Sequence, residues 1–383
     1  MDFRFYSPTE IRFGPGRLAE LGRTAKEYGN RALLVTGRGR GYRQALEATR
    51  DSLEQAGVEA IHYDQAIPNP TVNVVDKGAK IARDSRCKVV VAVGGGSAID
   101  TGKGIAVAAT HPGSVWDYMF FQDQQPTEGT LPVVAVPTTS GTGSHTTLYA
   151  VITNSELKSK SAIANPNIFP RAAIVDPTLM LSMPRRLTAC TGFDVFTHAF
   201  ESYINVSATP MTDLLAMEAI RLIAENLLNA IENGAEVEAR SGMAWADTLA
   251  GMCISNAGTT LPHAMGQPIS GHFPQVSHGE SLAVIYPAFL RYTCHAAPGK
   301  FIAVGKVFNP ALSGDGEEAV MGAVEAMEGF IREIGMWLTL KDLGVTKGDL
   351  EPILADCMAF PDVKANPRVP DRDETRRLYL ERL

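Results

Sequence analysis

Lys88-Val-Val-Val-Ala-Val93 runs directly into Gly94-Gly95-Gly96-Ser97-Ala98-Ile99-Asp100. An apolar run without polar alternation suits a strand that is covered on both faces. The glycines let the chain turn sharply, and the residues that follow, to about Ala109, read as a helix. Strand, turn and helix in this order form a crossover unit, so the strand belongs to a parallel sheet with helices on both sides. The start of that helix offers backbone N–H groups and a partial positive charge, which suit a pyrophosphate. The motif is neither G-x-G-x-x-G nor a P-loop: five residues separate Gly96 from Gly102-Lys103, and Gly104 stands where a magnesium-binding Ser or Thr belongs.

The same alternation extends upstream. Residues 31–36 read as a strand, 42–56 as a helix closed by Gly57, 58–63 as a strand and 72–84 as a helix. Downstream, the strand at 131–136 opens into Pro137-Thr138-Thr139-Ser140-Gly141-Thr142-Gly143-Ser144, a loop of small hydroxyl donors at the carboxyl end of a strand, where ligands of such sheets bind. Two more strands follow at 148–153 and 172–176, with Lys160 between them. Beyond Pro177 the periodicity turns helical, with segments at 188–204, 213–232, 236–256, 279–292, 315–334 and 347–358. This predicts an α/β N-terminal domain with a parallel, Rossmann-like sheet over residues 1–183 and an all-helical C-terminal domain over 184–383. A cleft between the two is the expected place for the ligands.

Composition narrows the classes of function. Lys and Arg number 35 against 42 Asp and Glu, a formal charge of −7 with no basic run, which argues against nucleic acid and anionic membranes as partners. No apolar stretch reaches transmembrane length, and Met1-Asp2-Phe3-Arg4-Phe5 lacks a signal-peptide pattern, so the expected location is cytoplasmic. Five scattered cysteines without a C-x-x-C pair read as reduced thiols.

The helical half carries the chemistry. In Gly192-Phe193-Asp194-Val195-Phe196-Thr197-His198, Asp194 and His198 stand four residues apart and share a helix face. Alone, such a pair is more often a capping or surface contact than a pair of ligands. His263 and His278 follow in a Gly- and Pro-rich segment, and three imidazoles with one carboxylate suit Fe²⁺ or Zn²⁺.

Taken together, Gly94 to Lys103, Pro137 to Ser144, Pro170-Arg-Ala-Ala-Ile-Val-Asp-Pro177, Gly192 to Tyr203 and the paired His263 and His278 resemble the iron-containing (group III) alcohol dehydrogenase family, in register over nearly the whole chain. The resemblance implies NAD(P)-linked, metal-dependent interconversion of an alcohol and an aldehyde or ketone, with hydride passing to or from the nicotinamide C4, and a homodimer or higher homo-oligomer. It implies Asp194, His198, His263 and His278 as metal ligands; Gly94, Gly95, Gly96, Ser97 and Asp100 at the pyrophosphate turn; Thr138, Thr139 and Thr142 in the nicotinamide- and phosphate-side loop; and Lys160 near the nicotinamide ribose.

Two positions depart from the family pattern. Gln267 replaces a histidine expected four residues after His263, so the proton route is open, with His272 and His145 as substitutes to weigh. Gly37-Arg38-Gly39-Arg40 follows the first strand where NAD-preferring members tend to carry an aspartate; loss of the acid and gain of cations favour NADP(H) over NAD(H). Candidate pocket walls are Phe169, Phe193, Phe200, Met252, Ile254, His272 and Phe273. Rival readings are a maleylacetate reductase-like oxidoreductase and an NAD- and metal-dependent lyase of the dehydroquinate synthase type. The lyase would need cations for a polyanionic substrate, and the segment 256–279 holds no Lys or Arg.

Overall fold

The computed structural model describes residues 2–38 and 43–383. Gly39 and Arg40, read above as part of the cofactor-selecting segment, lie outside the described residues. The chain divides into two compact units. One spans Tyr6–Met183 and takes in Ala235–Ala244; the other comprises Pro184–Gly234 and Trp245–Leu383, with the residues that precede Tyr6.

The first unit contains β1 (Glu10–Phe13), β2 (Arg31–Gly37), β3 (Glu59–Ala66), β4 (Val89–Gly94), β5 (Val133–Pro137), β6 (Tyr149–Asn154), β7 (Ser159–Ala164) and β8 (Ala172–Val175). Six of these form a wholly parallel sheet in the order β1-β8-β5-β4-β2-β3. The helices α1 (Leu21–Lys26) and α2 (Arg43–Gln55) pack on one face through Leu21, Ala25 and Leu53, against Ala32, Leu34, Val89 and Val91. On the other face, α3 (Val72–Asp84) and α4 (Gly96–Ala108) meet the alternate residues Leu33, Val35, Val90 and Ala92. Both faces of the inner strands are thus dry, which is why their sequences are apolar without alternation.

From β2 the chain moves outward to β3 and then returns to the other side of β2 as β4. That reversal is the topological switch point of a doubly wound sheet, and its crevice opens at the carboxyl ends of the two strands. Thr36 pairs with Val93, so Gly37 and Gly94 leave the sheet side by side.

Two strands escaped the sequence reading. β1 is a short edge strand with charged residues, and β7 (Ser-Lys-Ser-Ala-Ile-Ala) alternates too weakly to stand out. β7 instead pairs antiparallel with β6 as a hairpin outside the main sheet, with Lys160 opposite Thr153.

The second unit is helical: α5 (Arg185–Ile204), α6 (Pro210–Glu232), α7 (Val237–Ala257, whose first turns belong to the other unit), α8 (Leu261–His272), α9 (His278–Thr293), α10 (Pro298–Phe308), α11 (Glu317–Glu333), α12 (Leu350–Ala359), α13 (Asp362–Ala365) and α14 (Arg372–Glu381). Its core is aromatic. Phe193, Phe196 and Phe200 on α5 pack with Tyr286 on α9, whose ring centroid is 5.1 Å from that of Phe193. Phe193 and Phe200 are fully buried there, so they are core residues and not the pocket walls expected.

The Gly- and Pro-rich segment around His263, outside the helices read from the sequence, is itself a helix. Pro262 occupies the first turn of α8, where its missing N–H costs nothing, and Pro268 is tolerated inside. Gly266 is there for packing: a Cβ would lie 2.9 Å from Leu282 Cδ2 and 3.1 Å from the Ser281 carbonyl oxygen of α9.

Candidate functional site

α5 is buried along most of its length and presents Asp194 and His198 from adjacent turns. The Nε2 atoms of His198, His263 and His278 lie 3.7, 4.0 and 3.8 Å from Asp194 Oδ1. Ligand bonds near 2.1 Å place donors around a tetrahedral ion roughly 3.4 Å apart, so the set is slightly wide but fits a divalent cation. Donor atoms of Asp194, His263 and His278 all lie within 4.8 Å of one another. The ring of His198 stacks on that of His263 with centroids 4.9 Å apart. Solvent reaches this cluster at His278, whose side chain is 25% exposed against 4–7% for the others.

Residues outside the predicted set orient these donors. Glu201, one turn beyond His198 on α5, sits with Oε1 2.9 Å from His263 Nδ1, which leaves Nε2 as the donor to a cation. Its Oε2 accepts from the Thr260 backbone N–H at 2.8 Å, just before α8 begins. Burial pushes the Glu201 carboxyl well above its ordinary range, against the pull of the Thr260 N–H. Sequence reasoning assigned Glu201 no role, although the spacing Asp194, His198, Glu201 on one helical face could have revealed it.

His278 is fixed differently. It opens α9, where Ser277 and Glu280 form a reciprocal capping box. Glu280 also pairs with Arg186 of α5. Gly279 permits close approach: a Cβ there would lie 2.2 Å from the Cys190 carbonyl oxygen of α5.

Gln267 follows His263 by one turn of α8 and is partly exposed. It can hydrogen-bond but not titrate. Of the substitutes, His272 is engaged by Asp356 at 2.7 Å. His145 belongs to the first unit and is fully buried; burial, with the nearby Lys103, lowers it to about 3 and keeps it neutral.

In the first unit, α4 starts at Gly96 with no side chain capping its N-terminus. The glycine turn and hydroxyl loop are in contact: a Cβ on Gly95 would meet Thr139 Oγ1 at 2.9 Å, and one on Gly96 would meet Thr142 at 2.4 Å. Ser97, Thr138, Thr139 and Thr142 are all partly exposed beside this turn. Asp100 faces inward, where Oδ1 accepts from Ser144 Oγ at 2.6 Å and Oδ2 from Val151 N–H at 3.0 Å. Buried Lys103 donates to the carbonyls of Thr147 and Tyr149 at 2.8 and 2.7 Å. Burial drives Asp100 up and Lys103 down, each toward its neutral form. Together they tie α4 to the segment after the hydroxyl loop. Lys160 Nζ donates to Asn69 Oδ1 at 3.0 Å. Gly37 ends β2, and Arg38 forms an ion pair with Asp64.

Two family models match the chain, "Iron-containing alcohol dehydrogenase" over residues 8–177 and "Fe-containing alcohol dehydrogenase family, C-terminal" over residues 188–383. The chain belongs to the iron-containing alcohol dehydrogenase family. It is thus a metal-dependent, NAD-linked alcohol dehydrogenase, an oxidoreductase. It is 38% identical over 385 residues to a 1,3-propanediol dehydrogenase of Klebsiella pneumoniae, covering 99% of this chain and 98% of that one. An archaeal halo-thermophilic alcohol dehydrogenase from a Red Sea brine pool, solved bound to NZQ, superposes with a TM-score of 0.96 at 38% identity, covering 100% of this chain and 99% of the other. Sulfoacetaldehyde reductase from Bifidobacterium kashiwanohense, solved in complex with NAD+, gives a TM-score of 0.86 at 30% identity, with coverage of 100% and 99%. Among the described residues, no helix is long and apolar enough to cross a membrane.

Proposed function

We propose that this dehydrogenase interconverts a short alcohol or diol with its aldehyde, using Fe²⁺, or Zn²⁺ in its place, at Asp194, His198, His263 and His278. The observation that carries this reading is the convergence of three imidazole Nε2 atoms on one buried carboxylate oxygen. A short diol is supported by the similarity to 1,3-propanediol dehydrogenase. When bound, the cation supplies Lewis acidity to the substrate oxygen and the nicotinamide supplies the hydride acceptor or donor. The chain's own residues supply geometry: Glu201 holds the His263 ring, and Ser277 and Glu280 hold His278. Gln267 can orient a substrate hydroxyl but cannot carry its proton, so the proton leaves without a titrating side chain at this position.

Residues 1–183 would bind the dinucleotide and residues 184–383 the metal, a division supported by the two matched segments. The glycine turn, Thr138, Thr139 and Thr142 would hold the phosphates and Lys160 the ribose side. Gly37 leaves no acid directly at the end of β2, which supports admission of NADP(H) as well as NAD(H). Five buried free thiols support a reducing, cytoplasmic setting. A homodimer rests on the family alone, and light scattering tests it.

The deciding experiment follows aldehyde-dependent oxidation of NADH and NADPH by apoprotein reloaded anaerobically with Fe²⁺ or Zn²⁺, beside His263→Ala. Metal-dependent turnover lost in the variant supports the reading. Turnover that is independent of metal, or equal in His263→Ala, sinks it.

A further inference from the structure

The carboxyl ends of β2 and β4 flank the switch-point crevice, so a dinucleotide whose pyrophosphate lies on α4 carries its ribose past Gly37 and Arg38. An arginine there, with no acid on its own strand end, matches a 2′-phosphate. The neighbouring strand changes that expectation. Asp64 on β3 takes the Arg38 guanidinium in a two-pronged contact, Nε to Oδ2 at 3.2 Å and Nη2 to Oδ1 at 3.4 Å. Gln65 donates to the same carboxylate and orients it. Arg38 also holds the Asp64 carboxyl below its ordinary range, so it is ionised at neutral pH. Both side chains are open to solvent, 68% and 44% exposed, and therefore open to a ligand.

We propose that Asp64 is a specificity-determining residue, holding Arg38 and thereby limiting how well the site accepts a 2′-phosphorylated dinucleotide. This rests on the reading that the β2–β4 crevice binds the nicotinamide cofactor. A 2′-phosphate must replace the Asp64 carboxylate as the partner of the guanidinium and also approach that carboxylate's charge. An unphosphorylated ribose faces neither demand. The acid missing at Gly37 is thus supplied from the adjacent strand, acting through the arginine.

The test is direct titration of NADH and NADPH into the protein, followed by cofactor fluorescence, for wild type, Asp64→Asn, Arg38→Ala and the double variant, with melting curves to check folding. Asn is nearly isosteric, and the position is exposed. An exposed ion pair of this kind corresponds to up to about fivefold in affinity. Asp64→Asn should raise the ratio Kd(NADH)/Kd(NADPH) by about that factor, and Arg38→Ala in the same background should cancel the gain. An unchanged ratio, or a gain that persists without Arg38, overturns the proposal. So does a ratio that moves only because NADH weakens, since Asp64 would then be a direct ribose partner. Wild type that binds neither dinucleotide removes the cofactor reading itself, and the proposal with it.

Discussion

Glu201 Oε1 and His263 Nδ1 are 2.9 Å apart, a buried carboxyl group holding the far side of a candidate metal-ligating ring. The contact fixes the ring's orientation and which nitrogen faces the other donors. Glu201→Gln should weaken metal binding by roughly 10–100-fold while the helices remain folded. Competition against a graded series of chelators measures this. Affinity within twofold of wild type would reduce Glu201 to a packing residue.

Gly279→Ala should act on a second candidate ligand, His278. The new Cβ would fall 2.2 Å from backbone of α5, and backbone cannot swing away, so α9 must move and take His278 with it. Overpacking of this kind costs about 1–3 kcal/mol of stability. Metal affinity should drop as well, and urea unfolding of the apoprotein separates the two effects.

At the glycine turn, Gly96→Ala should raise the Kd for NADH at least about tenfold, which is ~1.4 kcal/mol. Its Cβ would overlap Thr142, a β-branched side chain with little freedom to yield. Metal loading should be untouched. Equal binding by this variant would mean that the turn does not carry the pyrophosphate.

His145 predicts a pH dependence of stability. Its folded-state value, about 3, lies below the unfolded value, so the unfolded chain takes up a proton first as pH falls. The stability it contributes is present above about pH 6.5 and declines by up to ~1.4 kcal/mol per pH unit toward pH 3. His145→Gln should flatten part of the acid limb of a melting-temperature profile between pH 7 and 5. A profile identical to wild type would show that other groups govern it.

What the sequence disclosed depended on how regular the physical signal was. The helix at Val72–Asp84 is predicted to the residue because Val75, Ala79 and Ala82 recur at helical spacing against the sheet. The four metal-ligand candidates were legible from residue type, and the structure gathers them. α8 was hidden because Pro262, Gly266 and Pro268 signal a loop, whereas here they serve a first turn and a close helix contact. Asp100 looked like part of a phosphate turn; only the fold shows both its oxygens directed at Ser144 and Val151. The pairing of Arg38 with Asp64 joins a residue just past the end of β2 to one on β3, and no local pattern announces it.

The candidate cation donors come from three helices, α5, α8 and α9, and span Asp194 to His278. An ion that binds the folded arrangement and not the open chain adds stability by mass action, about 4 kcal/mol at a thousandfold excess over Kd. With an ion bound at these residues, metal supply would govern the lifetime of this polypeptide as well as its activity. A copy that misses its ion opens more often and meets proteases more often, so a cell short of iron would clear the idle enzyme and keep the loaded one.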